Sequence, residues 1–158
     1  MPEQTTVIRK ATAFEYEELT AIAMASKAHW GYSQSFIQTC AHELVVTQDD
    51  LHNPLYVYWV ILFDNEIAGY AALKPNNEEM IELDALFIKP SHMRKGAGSA
   101  LFKHFLPLLK VSSYSCLTIL SDPQAAMFYE SMGASLVGEK ASGSIANRFL
   151  PVYELSLK

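Results

Sequence analysis

From Leu86 to Leu101 the chain reads LFIKPSHMRKGAGSAL, which predicts a strand, a basic glycine-rich turn and the start of a helix in direct succession. Backbone N–H groups in the first turn of a helix lack intrahelical partners, and the peptide dipoles place partial positive charge there. Gly96 and Gly98 have no Cβ atom to hold a ligand away, while Arg94 and Lys95 add full positive charge. The stretch therefore predicts a binding site for a phosphorylated ligand.

Two common phosphate-binding motifs do not fit this turn. A P-loop needs a lysine directly after its second glycine, whereas Lys95 precedes both glycines. A dinucleotide-binding turn needs a third glycine, where this chain has Leu101, and it follows an apolar strand, where this chain has Glu82 and Asp84. Both nucleoside triphosphate hydrolysis and dinucleotide binding are therefore disfavoured.

Size and composition predict one globular domain over residues 1–158. Half of the 158 residues are hydrophobic and 18% are charged, so the chain can bury a core without a disulfide or a structural metal. We find no internal repeat, linker or low-complexity tract. Cys40 and Cys116 have no Cys or His partner at metal-ligand spacing, which predicts free thiols and no metal.

Net charge and the N-terminus restrict the expected partners and location. The net charge of −5 disfavours a nucleic-acid surface and weakly suits a cationic acceptor. Residues Met1–Gln4 open no signal segment, and no run approaches the ~18 apolar residues of a membrane span. We therefore expect a cytoplasmic protein without a membrane or nucleic-acid partner.

Hydrophobic periodicity and turn residues predict an α/β (α+β) chain. Strands are expected over residues 7–11, 55–63, 66–73, 80–88, 115–120, around Val137 and over 149–157, with the second to fourth strands forming an antiparallel meander. Helices are expected from a capping box at residues 12–15 to Lys27, over 36–44, after Gly98 and from Asp122 to Ser131, whereas 49–54 is predicted as a loop. Pro107 is expected to kink or end the helix that follows the glycines.

Period-two alternation in the fourth strand predicts one partly polar face and one apolar face. The first face would contain Met80, Glu82, Asp84, Leu86 and Ile88, and the second Ile81, Leu83, Ala85 and Phe87. This pattern is typical of a strand with one end beside a wet cleft.

The element order, the turn at residues 94–98 and the segment AMFYESMG at residues 126–133 resemble the GNAT superfamily of acyl-CoA-dependent N-acyltransferases over nearly the whole chain. The family pattern Gln/Arg-x-x-Gly-x-Gly/Ala is matched at Gly96 and Gly98, and Met93 stands at its Gln/Arg position. The resemblance implies a central, mixed, mostly antiparallel sheet of about seven strands with helices on both faces, splayed between the fourth and fifth strands.

The same resemblance implies an N-acetyltransferase that moves acetyl from acetyl-CoA directly to a primary amine of a small molecule or peptide, without a metal. Pantetheine would pair with the fourth strand, a strand N–H would hold the oxyanion, and the pyrophosphate would meet the amides of the turn. The implied cofactor contacts are Leu86, Phe87, Ile88, Arg94, Lys95, Gly96, Ala97, Gly98, Ser99 and Asp122. For Asp122, a helix-capping role alone is the alternative.

The resemblance also implies roles in proton transfer and acceptor binding. Tyr129 would protonate the departing thiolate, and Glu82 or Asp84 would take the proton of the amine, with Glu82 favoured over Asp84. The alternative for these two carboxylates is a solvated strand face. His29, Trp30 and Tyr32 lie where an acceptor-binding loop is expected, and the loop from Ser144 to Arg148 could close over the same cleft; ordinary loop packing is the alternative for both.

Two other classes of function remain open at this point. A non-catalytic acyl-CoA-binding regulatory module would keep the phosphate site and lack turnover. A phosphate-sensing or nucleotide-binding protein would bind ATP or NAD instead. By analogy with the fold, a homodimer through the late strands is a further expectation.

Overall fold

The computed structural model describes residues 4–158, so Met1–Glu3, which entered the prediction about a signal segment, lie outside the described residues. The strands are β1 (Thr6–Lys10), β2 (Val57–Phe63), β3 (Glu66–Pro75), β4 (Met80–Ile88), β5 (Cys116–Leu120), β6 (Ser135–Ala141) and β7 (Phe149–Ser156). The helices are α1 (Tyr16–His29), α2 (Gln34–Leu44), α3 (Gln48–His52), α4 (Ala97–Lys110) and α5 (Ala126–Ser131), and short 3₁₀ turns precede α1, α4 and α5.

All seven strands form one sheet in the order β1-β2-β3-β4-β5-β7-β6. The β4–β5 pair is parallel and the other pairs are antiparallel, which confirms the predicted mixed, mostly antiparallel sheet and its central meander. β4 pairs with β5 only from Met80 to Leu83, opposite Cys116 to Ile119. Beyond Leu83 the two strands part, so the predicted splay is confirmed.

Each face of the sheet is covered by helices. On one face α4 buries Leu101, Phe102 and Phe105 against the sheet. On the other face α1 buries Leu19 and Ile22, at the helical spacing that the sequence predicted. Burying one such side chain contributes about 1.5–3 kcal/mol to the free energy of folding. The two helical layers therefore stabilise the sheet from both sides, including the region where β4 and β5 separate.

A β-bulge in β4 changes which side chains share a face. Leu73 of β3 lies opposite Leu83, and the adjacent Ala72 lies opposite Ala85, so Asp84 is an extra residue. The predicted alternation was therefore wrong beyond Leu83. Leu83 now packs in the α4 core with Leu86 and Ile88, whereas Ala85 and Phe87 pack on the α1 side. Glu82, which points opposite to Leu83, shares the α1 side of the sheet with them.

The loop prediction for residues 49–54 was also wrong, and of the two effects predicted for Pro107, a kink or an end of the helix, the end does not occur. Residues 48–52, predicted as part of a loop, form α3, because Thr47 caps the Asp50 amide and Asp50 returns a bond to the Thr47 amide. Pro107 does not end α4, which runs to Lys110 with the Val111 amide 3.3 Å from the Pro107 carbonyl. A proline inside a helix removes one N–H bond and crowds the carbonyl four residues earlier, but the buried residues Phe105 and Leu109 hold the last turn against the core.

Candidate active site

A cleft of about 580 Å³ opens where β4 and β5 separate. Its walls come from the second half of β4, the segment after β5, α5, the ends of α1 and α2, and the loop between β6 and β7. Ligands are commonly bound where neighbouring strands part, because backbone groups and side chains from several elements converge there. The cleft is therefore the candidate site.

The basic turn lies at the start of α4. Gly96 is the residue before the helix and has φ +79°, a left-handed conformation that glycine adopts without strain. The first intrahelical bond runs from the Ala100 amide to the Gly96 carbonyl at 2.9 Å, so the amides of Ala97, Gly98 and Ser99 have no partner within the helix. Free amides beside Arg94 and Lys95 fit the diphosphate of a coenzyme A.

At Gly98 the protein leaves room for a side chain, so packing does not require glycine there, and the predicted close approach of a phosphate stays a prediction. A Cβ built there would lie 3.5 Å from the Phe128 ring and 4.0 Å from Ile88, in ordinary van der Waals contact. The missing side chain at Gly98 thus faces α5 and β4. At Gly96, by contrast, a Cβ would meet nothing within 4 Å, so the backbone angle is what favours glycine there.

A polar cluster that the sequence analysis missed supports the turn from β3. Glu66 accepts a 2.6 Å hydrogen bond from Lys89 Nζ, and its second oxygen lies 3.3 Å from His92 Nε2. His92 is buried, and its Nδ1 lies 3.4 Å from Lys95 Nζ. The hydrogen bond from Lys89 and the neighbouring His92 ring hold the pKa of the Glu66 carboxyl below its usual value. Because Glu66 is 23 residues before Lys89, no local signal pointed to it.

Tyr129 and Glu82 both line the cleft. Tyr129, on α5, is 7% exposed, and burial together with the Asp122 charge raises its pKa, so the phenol keeps its proton. Glu82 is half-buried on β4, where burial and then the neighbouring Asp84 charge raise the pKa of its carboxyl. A raised carboxyl pKa brings the group closer to the range where it can exchange protons near neutral pH.

Asp84 also lines the cleft, but its charge is matched. Lys74 Nζ lies 3.2 Å from Asp84 Oδ2 and sits over the Tyr56 ring at 4.7 Å from its centre. Burial lowers the pKa of Lys74, but the charges of Asp84 and Tyr58 outweigh that effect and the net pKa is raised. Asp84 is therefore one half of an ion pair.

Asp122 accepts bonds from several partners. One oxygen caps the helical turn through the Gln124 amide at 2.9 Å, which confirms the predicted cap. The other lies 2.7 Å from Lys27 Nζ, and the Tyr32 hydroxyl donates to the carboxylate at 2.8 Å. Burial raises the pKa of Asp122, but the bonds from Lys27, Gln124 and Tyr32 outweigh it and lower the net value. The carboxylate is thus charged and already hydrogen-bonded to groups of the protein. Its contact with a cofactor stays a prediction.

Of the three residues predicted for acceptor binding, only Trp30 is among the residues that line the cleft. Trp30 lines the cleft and is 46% exposed, and Tyr32 joins the Asp122 cluster. His29 is the exposed last residue of α1, beside Trp30 and outside the cleft lining.

The loop between β6 and β7 lies against α2 at two points. The Ser144 hydroxyl donates to Glu43. The Arg148 guanidinium lies over the Phe36 ring, 4.8 Å from its centre, and donates to the Tyr32 hydroxyl at 3.0 Å. The loop therefore closes one side of the cleft. Arg148, named in the sequence analysis only as the end of this loop, lines the cleft together with Lys27, which had no predicted role.

Within residues 4–158, every helix is too short or too polar to span a lipid bilayer. No group of three or more His, Cys, Asp or Glu side chains is arranged to hold a metal ion in that part of the chain.

The model of the acetyltransferase (GNAT) family matches residues 18–134, and the chain belongs to this family of acyltransferases. The uncharacterized N-acetyltransferase YedL of Escherichia coli (strain K12) is 31% identical over 71 residues, which are 45% of this chain and 43% of that protein. The match thus spans less than half the length of this curated relative.

Solved structures of similar fold cover nearly the whole chain. The PaiA N-acetyltransferase of Thermoplasma acidophilum, crystallised with coenzyme A, has a TM-score of 0.76 at 19% identity and covers 96% of this chain and 99% of that one. The ribosomal-protein-S18-alanine N-acetyltransferase of Escherichia coli has a TM-score of 0.73 at 16% identity, covering 97% of this chain and 94% of that one. At such identities the likeness shows the shared fold.

Proposed function

We propose that residues 1–158 are a single N-acetyltransferase domain that transfers acetyl from acetyl-CoA to a primary amine of a small molecule or peptide by direct attack. The observation that carries this proposal is the separation of β4 from β5 beyond Leu83. Because of this separation, the backbone of Leu86, Phe87 and Ile88 pairs with β3 on one side and has no strand partner on the other. The free amides after Gly96 lie beyond one end of this open edge, and Tyr129 and Glu82 line the cleft beside it.

The chain's own groups suit each part of the cofactor. The amides of Ala97, Gly98 and Ser99, with Arg94 and Lys95, would hold the diphosphate, and the open β4 edge would pair with the pantetheine amides. When bound, acetyl-CoA supplies an acetyl group activated as a thioester. The protein therefore does not need a further charged group to activate the acetyl carbonyl.

Two side chains would move protons. Glu82 would accept, at a carboxylate oxygen, the proton that an ammonium must lose before its nitrogen can attack. Tyr129, which burial keeps protonated, would donate its phenolic proton to the sulfur as the C–S bond breaks. Because a thiol (pKa ~8.5) is a stronger acid than a phenol (pKa ~10), this transfer is uphill, and the phenolate would regain a proton from the nitrogen that has formed the amide. A strand N–H near Leu86 or Phe87 would stabilise the oxyanion.

Coenzyme A release from acetyl-CoA, measured with a mixed pool of amines, tests the proposal. We expect release above background that depends on the amine. Thermal stabilisation by acetyl-CoA with no release on any amine would contradict it and identify a non-catalytic acyl-CoA-binding module.

For location and assembly we propose the cytoplasm and a homodimer. The two cysteines, Cys40 and Cys116, are free thiols, which suits a reducing compartment. β6 is an edge strand whose seven residues are all exposed, so a second copy could extend the sheet there. Light scattering of the purified protein measures the mass that decides between monomer and dimer.

A further inference from the structure

Two cations share a single carboxylate at the wall of the cleft. Lys27 Nζ lies 2.7 Å, and Arg148 Nη2 3.5 Å, from the same oxygen, Oδ2 of Asp122. The side chains of Lys27, Arg148 and Asp122 are only 15%, 18% and 19% exposed, respectively. Within residues 4–158 no other carboxylate lies within 4 Å of either cation. The cluster therefore carries one net positive charge that is largely removed from water.

A charge held out of water without a partner is costly, and an anion that enters the cleft would balance it. The Arg148 guanidinium is positioned to bind such an anion. Its guanidinium lies over the rings of Tyr32 and Phe36, at 5.3 and 4.8 Å from their centres, and these rings stack on each other at 4.4 Å. Only Nη2 donates in the hydrogen bonds of the structure, so other N–H groups of the five in a guanidinium remain for a ligand.

The other carboxylates at the cleft are either paired or solvated. Asp84 is paired with Lys74 at 3.2 Å, and Asp50 accepts from the Thr47 amide at 2.9 Å. Glu43 accepts from Ser144, and its side chain is 45% exposed. A second ammonium on the acceptor would therefore find no unbalanced buried anion, apart from Glu82, which the reacting amine itself needs.

We propose that the acceptor is an amino carboxylate, with its amine at Glu82 and its carboxylate at Arg148 and Lys27, all of which line the same cleft. This inference rests on the proposed acetyl transfer. The planar guanidinium matches the two oxygens of a carboxylate, and Lys27 adds a second positive charge beside it. Arg148 is thus a specificity-determining residue, held in position by Tyr32 and Phe36.

The experiment compares amino acids with their own carboxamides, which keep the amine and lose the negative charge. For each pair we measure the ratio of kcat/KM for acid over amide. We expect the wild-type ratio to be roughly 10 to 100, as for a hydrogen bond to a charged group, and to fall toward 1 in Arg148→Gln. Because the ratio is taken within one protein, it does not depend on how much of that variant is folded.

Two further variants sharpen the comparison. Lys27→Gln should lower the ratio part of the way, since Arg148 remains. Lys103→Gln removes a matched charge from the exposed face of α4 and should leave the ratio at the wild-type value.

Amides used as well as acids by the wild-type protein, or diamines as the best acceptors, would overturn the amino-carboxylate proposal while acetyl transfer stands. An Arg148→Gln ratio equal to wild type would overturn the role of Arg148. Absence of turnover with acids, amides and diamines alike would instead overturn the proposed function, and this inference with it.

Discussion

At the scale of single residues, Tyr129 is the side chain whose proton the reaction would use. Replacing it by phenylalanine keeps the ring and its contacts with Phe128 and removes only the hydroxyl. We expect Tyr129→Phe to lower kcat roughly 10²–10⁴-fold, the usual contribution of a general acid, with the KM for acetyl-CoA nearly unchanged. Steady-state kinetics under conditions where chemistry limits the rate provide the measurement.

Tyr153→Phe is the matched control for that change. Tyr153 lies beside Tyr129, with ring centres 6.4 Å apart, but its hydroxyl donates to Glu130 at 3.1 Å and does not line the cleft. The kcat of Tyr153→Phe should therefore stay near the wild-type value. Equal turnover in Tyr129→Phe and wild type would remove Tyr129 from the mechanism.

Glu82 makes a prediction about pH. A base must be deprotonated, and burial followed by the Asp84 charge raises the pKa of Glu82, so kcat should fall with acid around a pKa above the ~4.3 of an ordinary glutamate. Asp84→Asn removes the neighbouring negative charge and frees Lys74, and both changes lower the Glu82 pKa. The acid limb of the kcat–pH profile should therefore move to lower pH.

In Glu82→Gln that acid limb should disappear together with most of the turnover. Glu78→Gln, an exposed change in the turn before β4, should leave the limb in place. An acid limb that Asp84→Asn shifts upward, or that survives in Glu82→Gln, would show that another group takes the proton.

At the scale of elements, the start of α4 depends on one left-handed residue. Gly96→Ala places a Cβ in open space but keeps φ at +79°, so its cost is backbone strain of about 1–2 kcal/mol. For a chain of this size we expect a drop in Tm of about 2–8 °C and a higher KM for acetyl-CoA.

Gly98→Ala is the paired change within the same turn. Its Cβ would make ordinary contact with Phe128, and alanine gains about 0.5–1 kcal/mol over glycine in a helix. Thermal unfolding should therefore show Gly98→Ala at or slightly above the wild-type Tm. A larger loss of Tm in Gly98→Ala than in Gly96→Ala would contradict this account of the two glycines.

At the scale of the whole molecule, binding of acetyl-CoA should stabilise several elements of the fold at once. The cofactor would touch β4, α4 and α5, which pack in one buried cluster, so a ligand that binds only the folded state stabilises all of them together. At 100 times its Kd, acetyl-CoA should add about 2.7 kcal/mol, or about 5–11 °C in Tm. A thermal-shift assay measures this rise.

Pantetheine serves as the control ligand, because it lacks the diphosphate and should stabilise less at equal concentration. ATP and NAD should give no comparable rise. Stabilisation by either nucleotide equal to that by acetyl-CoA would favour the nucleotide-binding alternative.

The sequence by itself determined the features that depend on near neighbours. The Thr12 and Glu15 capping box precedes α1, and the glycine-rich turn precedes α4, because these arrangements need only residues within a few positions of each other. The order of strands and helices and the resemblance to the GNAT superfamily rest on the same local patterns, and the splayed sheet followed from that resemblance.

Only the tertiary structure decided how distant residues meet. The bulge at Asp84 depends on pairing with β3, and it put Ala85 and Phe87 on the same face as Glu82, where period-two alternation had predicted Leu86 and Ile88. Lys27, Asp122 and Arg148 are separated by 95 and 26 residues, so no sequence window contains the charge that we assign to acceptor binding. Strand register and ion pairing are set by packing across the whole sheet, and local propensity carries no information about either.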